Sequence, residues 1–224
     1  LDPDPYLLVF FYRNARVNPL AGHYVGQVDI AQLKDGEKVF VSTAAGAVGS
    51  IAVQIAKLHG CFVVGSTGSD EKVRWLLDEA HIDAAINYKT QPIRKALREA
   101  APEGIDVYFD NVGGETLDAA LAVMKPLGRV AVCGMISGYN ERGSRAPVYN
   151  LSNIIYGRIN LRGFVATDFP HLYDEFKTNM TAWLKDGRVK TQETVMEGIE
   201  NAPAALVGLM NGVNSGKMLV RLAP

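Results

Sequence analysis

Apolar positions along the chain follow two alternating rhythms. Short continuous runs rich in Val, Ile, Phe and Tyr read as buried strands over Lys38–Ser42, Cys61–Ser66, Ala84–Tyr88, Ile105–Asp110, Gly128–Cys133 and Asn160–Val165. Between them apolar residues recur every three or four positions. Val48, Ile51, Ala52, Ile55, Ala56 and Leu58 mark one stripe of a helix over Val48–His59, closed by Gly60. Ser69 suits the cap of a helix to about Glu79, and Pro92–Ala100 opens with a proline, which a first turn tolerates. Glu115–Met124 is a further helix, and Pro170–Lys185 is a long amphipathic one, ended by Asp186-Gly187. Alternation of this kind predicts a parallel sheet with crossover helices, an α/β doubly wound fold. Additional pieces follow: Val189–Val195, a helix from about Asn201 to Met210, and a last strand, Lys217–Leu222.

Composition narrows the function classes. With 224 residues, 48% hydrophobic and 21% charged, the chain fits one large domain, or one domain and a fragment of another. A net charge of −1 gives no electrostatic footprint for nucleic acid or an anionic membrane. The longest apolar run, Tyr6–Tyr12, is too short to span a bilayer and reads as a strand or a buried segment parted from its packing partner. No signal peptide is visible, and Cys61 and Cys133, both in strand-like runs, read as reduced core cysteines of a cytoplasmic protein. His23, His59, His81 and His171 are scattered, so no metal site is expected. Because the first residue is Leu1, the chain is expected to begin inside a longer one or to have lost its start.

Chemistry concentrates at Ala44-Ala45-Gly46-Ala47-Val48-Gly49, a glycine-rich fingerprint with alanine first, between a predicted strand and a predicted helix. Gly46 is expected to let backbone approach a pyrophosphate, Gly49 to let the helix pack on the sheet, and the helix N-terminus to offer free N–H groups. A tight turn without a ligand is the alternative. A site for NAD usually has an acid at the end of the second strand. Here that place reads Gly65-Ser66-Thr67-Gly68-Ser69, which leaves room for a 2′-phosphate, with Lys72 one turn on to neutralise it. Asp70 and Glu71 suit a first helical turn and are expected to point away; a solvated role for Lys72 stays open. The cofactor expected is NADP(H).

With "AAGAVGS", "GSDEKV", "NYKT", "GIDVYFDNVGG", "CGMISGYN", "LRGFV", "GIENAPAALVGL" and "NSGKMLV" in this order, the chain resembles the zinc-free medium-chain dehydrogenase/reductases, in the branch of prostaglandin reductases, alkenal double-bond reductases and curcumin reductase. The resemblance runs from about Tyr24 to Leu222. It implies that Gly46, Ala47, Val48 and Gly49 hold the pyrophosphate, that Lys72 and Tyr88 hold the 2′-phosphate, and that Asn111 lies along the cofactor. It implies that Cys133, Gly134, Met135, Ile136, Ser137, Gly138 and Tyr139 form a loop beside the nicotinamide ribose. Phe164, Val165 and Ala166 would wall the nicotinamide pocket, and Asn214 would close over the cofactor. The activity implied is hydride transfer to the β-carbon of an α,β-unsaturated ketone or aldehyde, with Tyr139 as the donor to the carbonyl oxygen, and a homodimer is implied. For Phe164 and Val165 plain core, and for Tyr88 and Tyr139 a structural role, are alternatives.

The start of the chain departs from the family. The resemblance implies an N-terminal β domain of roughly a hundred residues, largely absent here, so that 1–23 is a remnant, 24–186 the dinucleotide domain and 187–224 a segment returning toward the missing part. The last strand would then have little to pair with. Asn18-Pro19-Leu20-Ala21-Gly22 stands where the family shows Met-Pro-Gly and a threonine. Rival readings are a cofactor-binding remnant or sensor without turnover, a quinone reductase, and a short-chain dehydrogenase using Tyr173 and Lys177, which share a helix face but come too late in the chain.

Overall fold

The computed structural model describes residues 6–8, 21–139 and 147–222. In chain order its strands are β1 (Tyr6–Leu8), β2 (Lys38–Val41), β3 (Phe62–Thr67), β4 (Ala84–Asn87), β5 (Ile105–Asp110), β6 (Met124–Val132), β7 (Asn160–Gly163), β8 (Glu193–Glu197) and β9 (Lys217–Arg221). Its helices are α1 (Ala21–Val25), α2 (Gly49–Leu58), α3 (Asp70–Asp78), α4 (Ile93–Ala100), α5 (Gly114–Leu121), α6 (Ser152–Gly157), α7 (Tyr173–Lys185) and α8 (Ala202–Met210).

The main sheet has the order β4-β3-β2-β5-β6-β7, with every pairing parallel. Side chains alternate across it. Val39, Val41, Val63, Val107 and Phe109 face α2 and Leu76 of α3, while Phe40, Val64, Tyr108 and Val130 face Leu97 of α4 and Leu117, Ala120 and Leu121 of α5. Helices on both faces explain why the strands read as unbroken apolar runs. The outer side of α2 is covered too, since Ile51 and Ile55 pack with Tyr24 of α1 and with Phe176 and Met180 of α7. The order reverses direction between β2 and β5, and in such a sheet the crevice lies outside the carboxyl ends of those two strands.

A second sheet has the order β1-β9-β8. The last strand therefore has partners on both edges, antiparallel to β1 and parallel to β8, contrary to the expectation that it lacks them. Only Tyr6–Leu8 of the Tyr6–Tyr12 run, and only Ala21 and Gly22 of the Asn18–Gly22 segment, fall among the described residues. The helix expected to reach Met124 stops at Leu121, because Lys125 precedes Pro126 and a residue before proline avoids helical backbone; Met124 instead opens β6 opposite Ile105. The short helices α1 and α6 were not legible, being too brief for a period to show. Leu58 lies outside the packed stripe, 37% exposed at the end of α2.

Two glycines test this packing. A Cβ on Gly49 would stand 2.2 Å from the Thr43 carbonyl oxygen, a backbone atom, whereas one on Gly22 of α1 meets nothing within 4 Å. Gly49→Ala is expected to lower stability by about 2–3 kcal/mol or more through overpacking, and Gly22→Ala to raise it by about 0.5–1 kcal/mol. Urea unfolding of both variants measures the contrast.

Candidate functional site

Three segments converge at the carboxyl ends of β2, β3 and β5. The first is the turn from β2 into α2. Thr43 adopts φ +52°, unusual for a β-branched residue, and its carbonyl accepts from the Gly46 N–H at 2.9 Å. A Cβ on Gly46 would stand 2.9 Å from Thr43 Cγ2, so the glycine there answers first to its own turn. No side chain caps the N-terminus of α2. Within its first turn the Ser50 N–H donates to the Gly46 carbonyl at 2.9 Å and the Ala52 N–H to the Val48 carbonyl at 3.1 Å, and the positive end of the dipole lies at this turn.

The second segment is the end of β3. Ser66 and Thr67 are buried, and the Ser69 hydroxyl accepts from the Lys72 N–H at 3.3 Å, capping α3 as expected. Lys72 is not solvated: it is 9% exposed, and its Nζ donates to the Gly212 carbonyl at 2.6 Å. Burial, then the nearby Lys89, lowers its pKa. Beside it opens a cavity of about 560 Å³, walled by Gly68, Ser69, Glu71, Lys72 and Lys89 on one side and by Gln192, Glu193, Thr194, Asn211, Gly212, Val213 and Ser215 on the other. Asp70 is turned aside to accept from Asn87 Nδ2 at 2.7 Å, but Glu71 faces the cavity, against expectation. Tyr88 is not a wall of the cavity. It is half-exposed, and its hydroxyl lies 3.0 Å from where a Cβ on Gly68 would be.

The tail closes this arrangement. The Gly216 N–H donates to the Ala45 carbonyl at 2.8 Å, and Gly216 bridges to Gly46. Asn214 is buried and donates through Nδ2 to the Gly216 carbonyl at 2.7 Å. A Cβ on Gly216 would stand 1.8 Å from the Gln192 carbonyl oxygen, so only glycine fits where the tail crosses the turn.

The third segment lies past β5 and β6. The Asn111 N–H donates to Ser42 Oγ at 2.9 Å and its Nδ2 to the Ser42 carbonyl at 2.7 Å, which seats Asn111 against the end of β2. From Cys133 the chain turns through Ile136–Gly138 to Tyr139. Met135, Ile136 and Ser137 are exposed, and Tyr139 is 61% exposed, its hydroxyl accepting from the Met135 N–H at 3.3 Å. Cys133 follows the strand rather than lying in it and is only partly buried; burial pushes its thiol up to about 12, so it stays protonated. Phe164 packs edge-on against Phe109, ring centres 6.3 Å apart, while Val165 is 47% exposed and Ala166 opens a short 3-10 turn. Tyr173 and Lys177 are exposed on α7 and neither walls the cavity.

Sequence reasoning did not find Lys89, Thr43 or the wall formed by Gln192–Thr194 and Asn211–Gly212. Lys89 follows Tyr88 and was open to notice; the tail residues carry no local signal. Among the described residues no group of three or more His, Cys, Asp or Glu is placed to hold a metal, and no helix is long and apolar enough to cross a membrane.

A six-stranded doubly wound sheet with a glycine-rich turn at its switch point defines a dinucleotide-binding domain. A family profile described as "Zinc-binding dehydrogenase" matches residues 47–186. Prostaglandin reductase 1 of Bos taurus is 48% identical over 200 residues, covering 88% of this chain and 60% of that protein. The 2-alkenal reductase (NADP(+)-dependent) of Nicotiana tabacum is 47% identical over 201 residues, covering 89% of this chain and 58% of that one. The crystal structure of CurA from Vibrio vulnificus in complex with NADPH superposes with a TM-score of 0.88 at 37% identity, over 92% of this chain and 63% of CurA. The chain belongs to the zinc-binding dehydrogenase family, in the branch of these reductases. It spans about 60% of the length of these relatives.

Lys72 is expected to titrate below ordinary lysines, and Lys89→Ala to move it only part of the way back up, since burial is the larger cause. An NMR titration of the lysine side chains reads both.

Proposed function

We propose that this chain is the cofactor-binding part of a zinc-independent NADPH-dependent reductase acting on the C=C bond of α,β-unsaturated ketones or aldehydes. One observation carries the reading of the cofactor: Lys72 is buried against Lys89 at a cavity beside the glycine turn, at a strand end whose polar residues are Ser66 and Thr67. Burying a lysine beside another cation costs stability, which Glu71 in the same cavity offsets only in part, since the Lys72 pKa is still lowered; in this reading a 2′-phosphate supplies the further negative charge. Relatives named for NADP(+) dependence and for a complex with NADPH support the same assignment.

In this reading Gly46–Gly49 present the amides of α2 to the pyrophosphate. Lys72 and Lys89 take the 2′-phosphate, with Tyr88 flanking Gly68 at the rim. Asn111 lines the cofactor, the Cys133–Tyr139 loop borders the nicotinamide ribose, Phe164–Ala166 wall the nicotinamide, and Asn214 holds the tail over the turn. Bound NADPH supplies a hydride for the β-carbon of the substrate. Tyr139 donates its O–H to the carbonyl oxygen, where negative charge develops. Its hydroxyl already accepts an N–H from Met135, which polarises the O–H for that donation.

The proposed units are 24–186 for the dinucleotide domain and 187–224 for the tail. A homodimer is supported by the edge of β7, which among the described residues pairs only with β6, and by Tyr149, Ile155 and Tyr156 near it, exposed by 77%, 75% and 82%. Two unpaired cysteines suit a cytoplasmic location.

Calorimetric titration is expected to give tight NADPH and weak NADH binding. Lys72→Ala should weaken NADPH by about 10- to 100-fold, the loss of a hydrogen bond between charged groups, and leave NADH unchanged. The phosphate favours charged Lys72, so NADPH affinity should fall as pH rises through the lowered Lys72 pKa, with no such fall for NADH. Tyr139→Phe should cut kcat for a simple enone by about 100-fold. Equal binding of both nucleotides, or none, overturns the assignment of the cofactor. Separately, Ile155→Asp with Tyr156→Asp should convert a dimer to a monomer by light scattering.

A further inference from the structure

Asp110 is fully buried at the end of β5, directly below the site. Its Oδ1 accepts from Tyr108 Oη at 2.6 Å, from the Val112 N–H at 2.9 Å and from the Gly113 N–H at 2.8 Å. Tyr108 Oη, its proton given to Asp110, accepts from the Ser42 hydroxyl at 3.1 Å, the hydroxyl that seats the Asn111 amide. Asp110 Oδ2 has no hydrogen-bond partner among the described residues. Burial raises its pKa, against which the donors work. A carboxyl kept at such a desolvation cost calls for an account.

The account lies in what the turn after β5 does. Its consecutive carbonyls hold the loop that carries Tyr139. The Asp110 carbonyl accepts from the N–H groups of Cys133 and Gly134 at 2.8 and 3.1 Å. The Asn111 carbonyl accepts from Ile136 N–H at 3.2 Å, and the Val112 carbonyl from Ser137 N–H at 3.2 Å and from Ser137 Oγ at 2.6 Å. Gly113 has φ +70°, and a Cβ there would press on Met135 Cγ at 3.2 Å. The carboxyl thus fixes the turn from within, and the turn fixes the loop from outside.

We propose that Asp110 is the positioning residue of this site, its buried carboxyl setting the 110–113 turn on which both Asn111 and the Tyr139-bearing loop are registered. The proposal rests on the cofactor reading above for what is positioned, but not for the coupling itself. A carboxyl with several donors is suited to this task, because the turn keeps one conformation only while all of them are satisfied at once.

Hydrogen exchange of the whole chain tests it. In the wild type the amides of Val112, Gly113, Cys133, Gly134, Ile136 and Ser137 are expected to open as one unit, with a common dependence on denaturant. Asp110→Ala should speed their exchange by about tenfold or more, the loss of a charge-assisted hydrogen bond, while β3 and β4 amides keep their rates. Asp110→Asn, whose Oδ1 still accepts, should restore the protection. Asp110→Ala should also weaken NADPH and NADH by the same factor, because Lys72 is untouched; a merely destabilised protein would instead lose protection throughout. Separate opening of the turn and the loop in the wild type overturns the proposal, as does wild-type exchange of 133–137 in a folded Asp110→Ala, or an Asn variant as fast as the Ala one. If Asp110→Ala does not fold, the wild-type pattern decides. If the wild type binds no dinucleotide, the functional reading falls while the exchange data still judge the coupling.

Discussion

The close approach of α2 to the end of β2 governs everything built above it. Backbone packs on backbone there, with no side chain on Gly49 to part Thr43 from the helix. The left-handed φ of Thr43 lets the strand turn sharply enough to allow this. Helix and sheet then share one aliphatic layer, and α2 is buried along most of its length between the sheet and the pair α1 and α7. A helix fixed so firmly points its N-terminal amides at one place. The tail depends on the same approach, since Gly216 bonds to Ala45 within the turn.

Around this frame two buried charges of opposite sign sit at strand ends. Lys72 follows β3, its ammonium on the Gly212 carbonyl and its pKa lowered. Asp110 ends β5, its carboxyl on a tyrosine hydroxyl and two amides, its pKa raised. Neither is bonded to an opposite charge in these contacts, and both shifts arise first from burial. A fold selected for stability alone would replace such groups. They sit at opposite sides of the switch point, one toward the cavity and one beneath the Tyr139 loop.

Much of the fold was legible because parallel strands covered on both faces must be apolar throughout, and crossover helices must be amphipathic or, like α2, apolar nearly all round. Val39–Val41 and Ile105–Asp110 could hardly read as anything else. The end of α5 was misread because Glu115–Met124 keeps a helical period, and only Pro126 says where it must stop. The pairing of the last strand escaped because strand partners are set by contacts far apart in sequence: Lys217–Arg221 meets β1 from the far end of the chain and β8 from some twenty residues earlier.

By itself the sequence determined which elements form, the glycine turn and the absence of an acid at its cofactor-selecting position, since these rest on local backbone sterics and side-chain periodicity. Only the tertiary structure decided that Lys72 is buried rather than solvated, that Lys89 and the 192–194 and 211–215 segments share its cavity, that Glu71 faces inward, and that the Asp110 carboxyl underlies the Tyr139 loop. Desolvation, cavity shape and long-range hydrogen bonds depend on which distant segments the fold brings together, and no local pattern of residues carries that information.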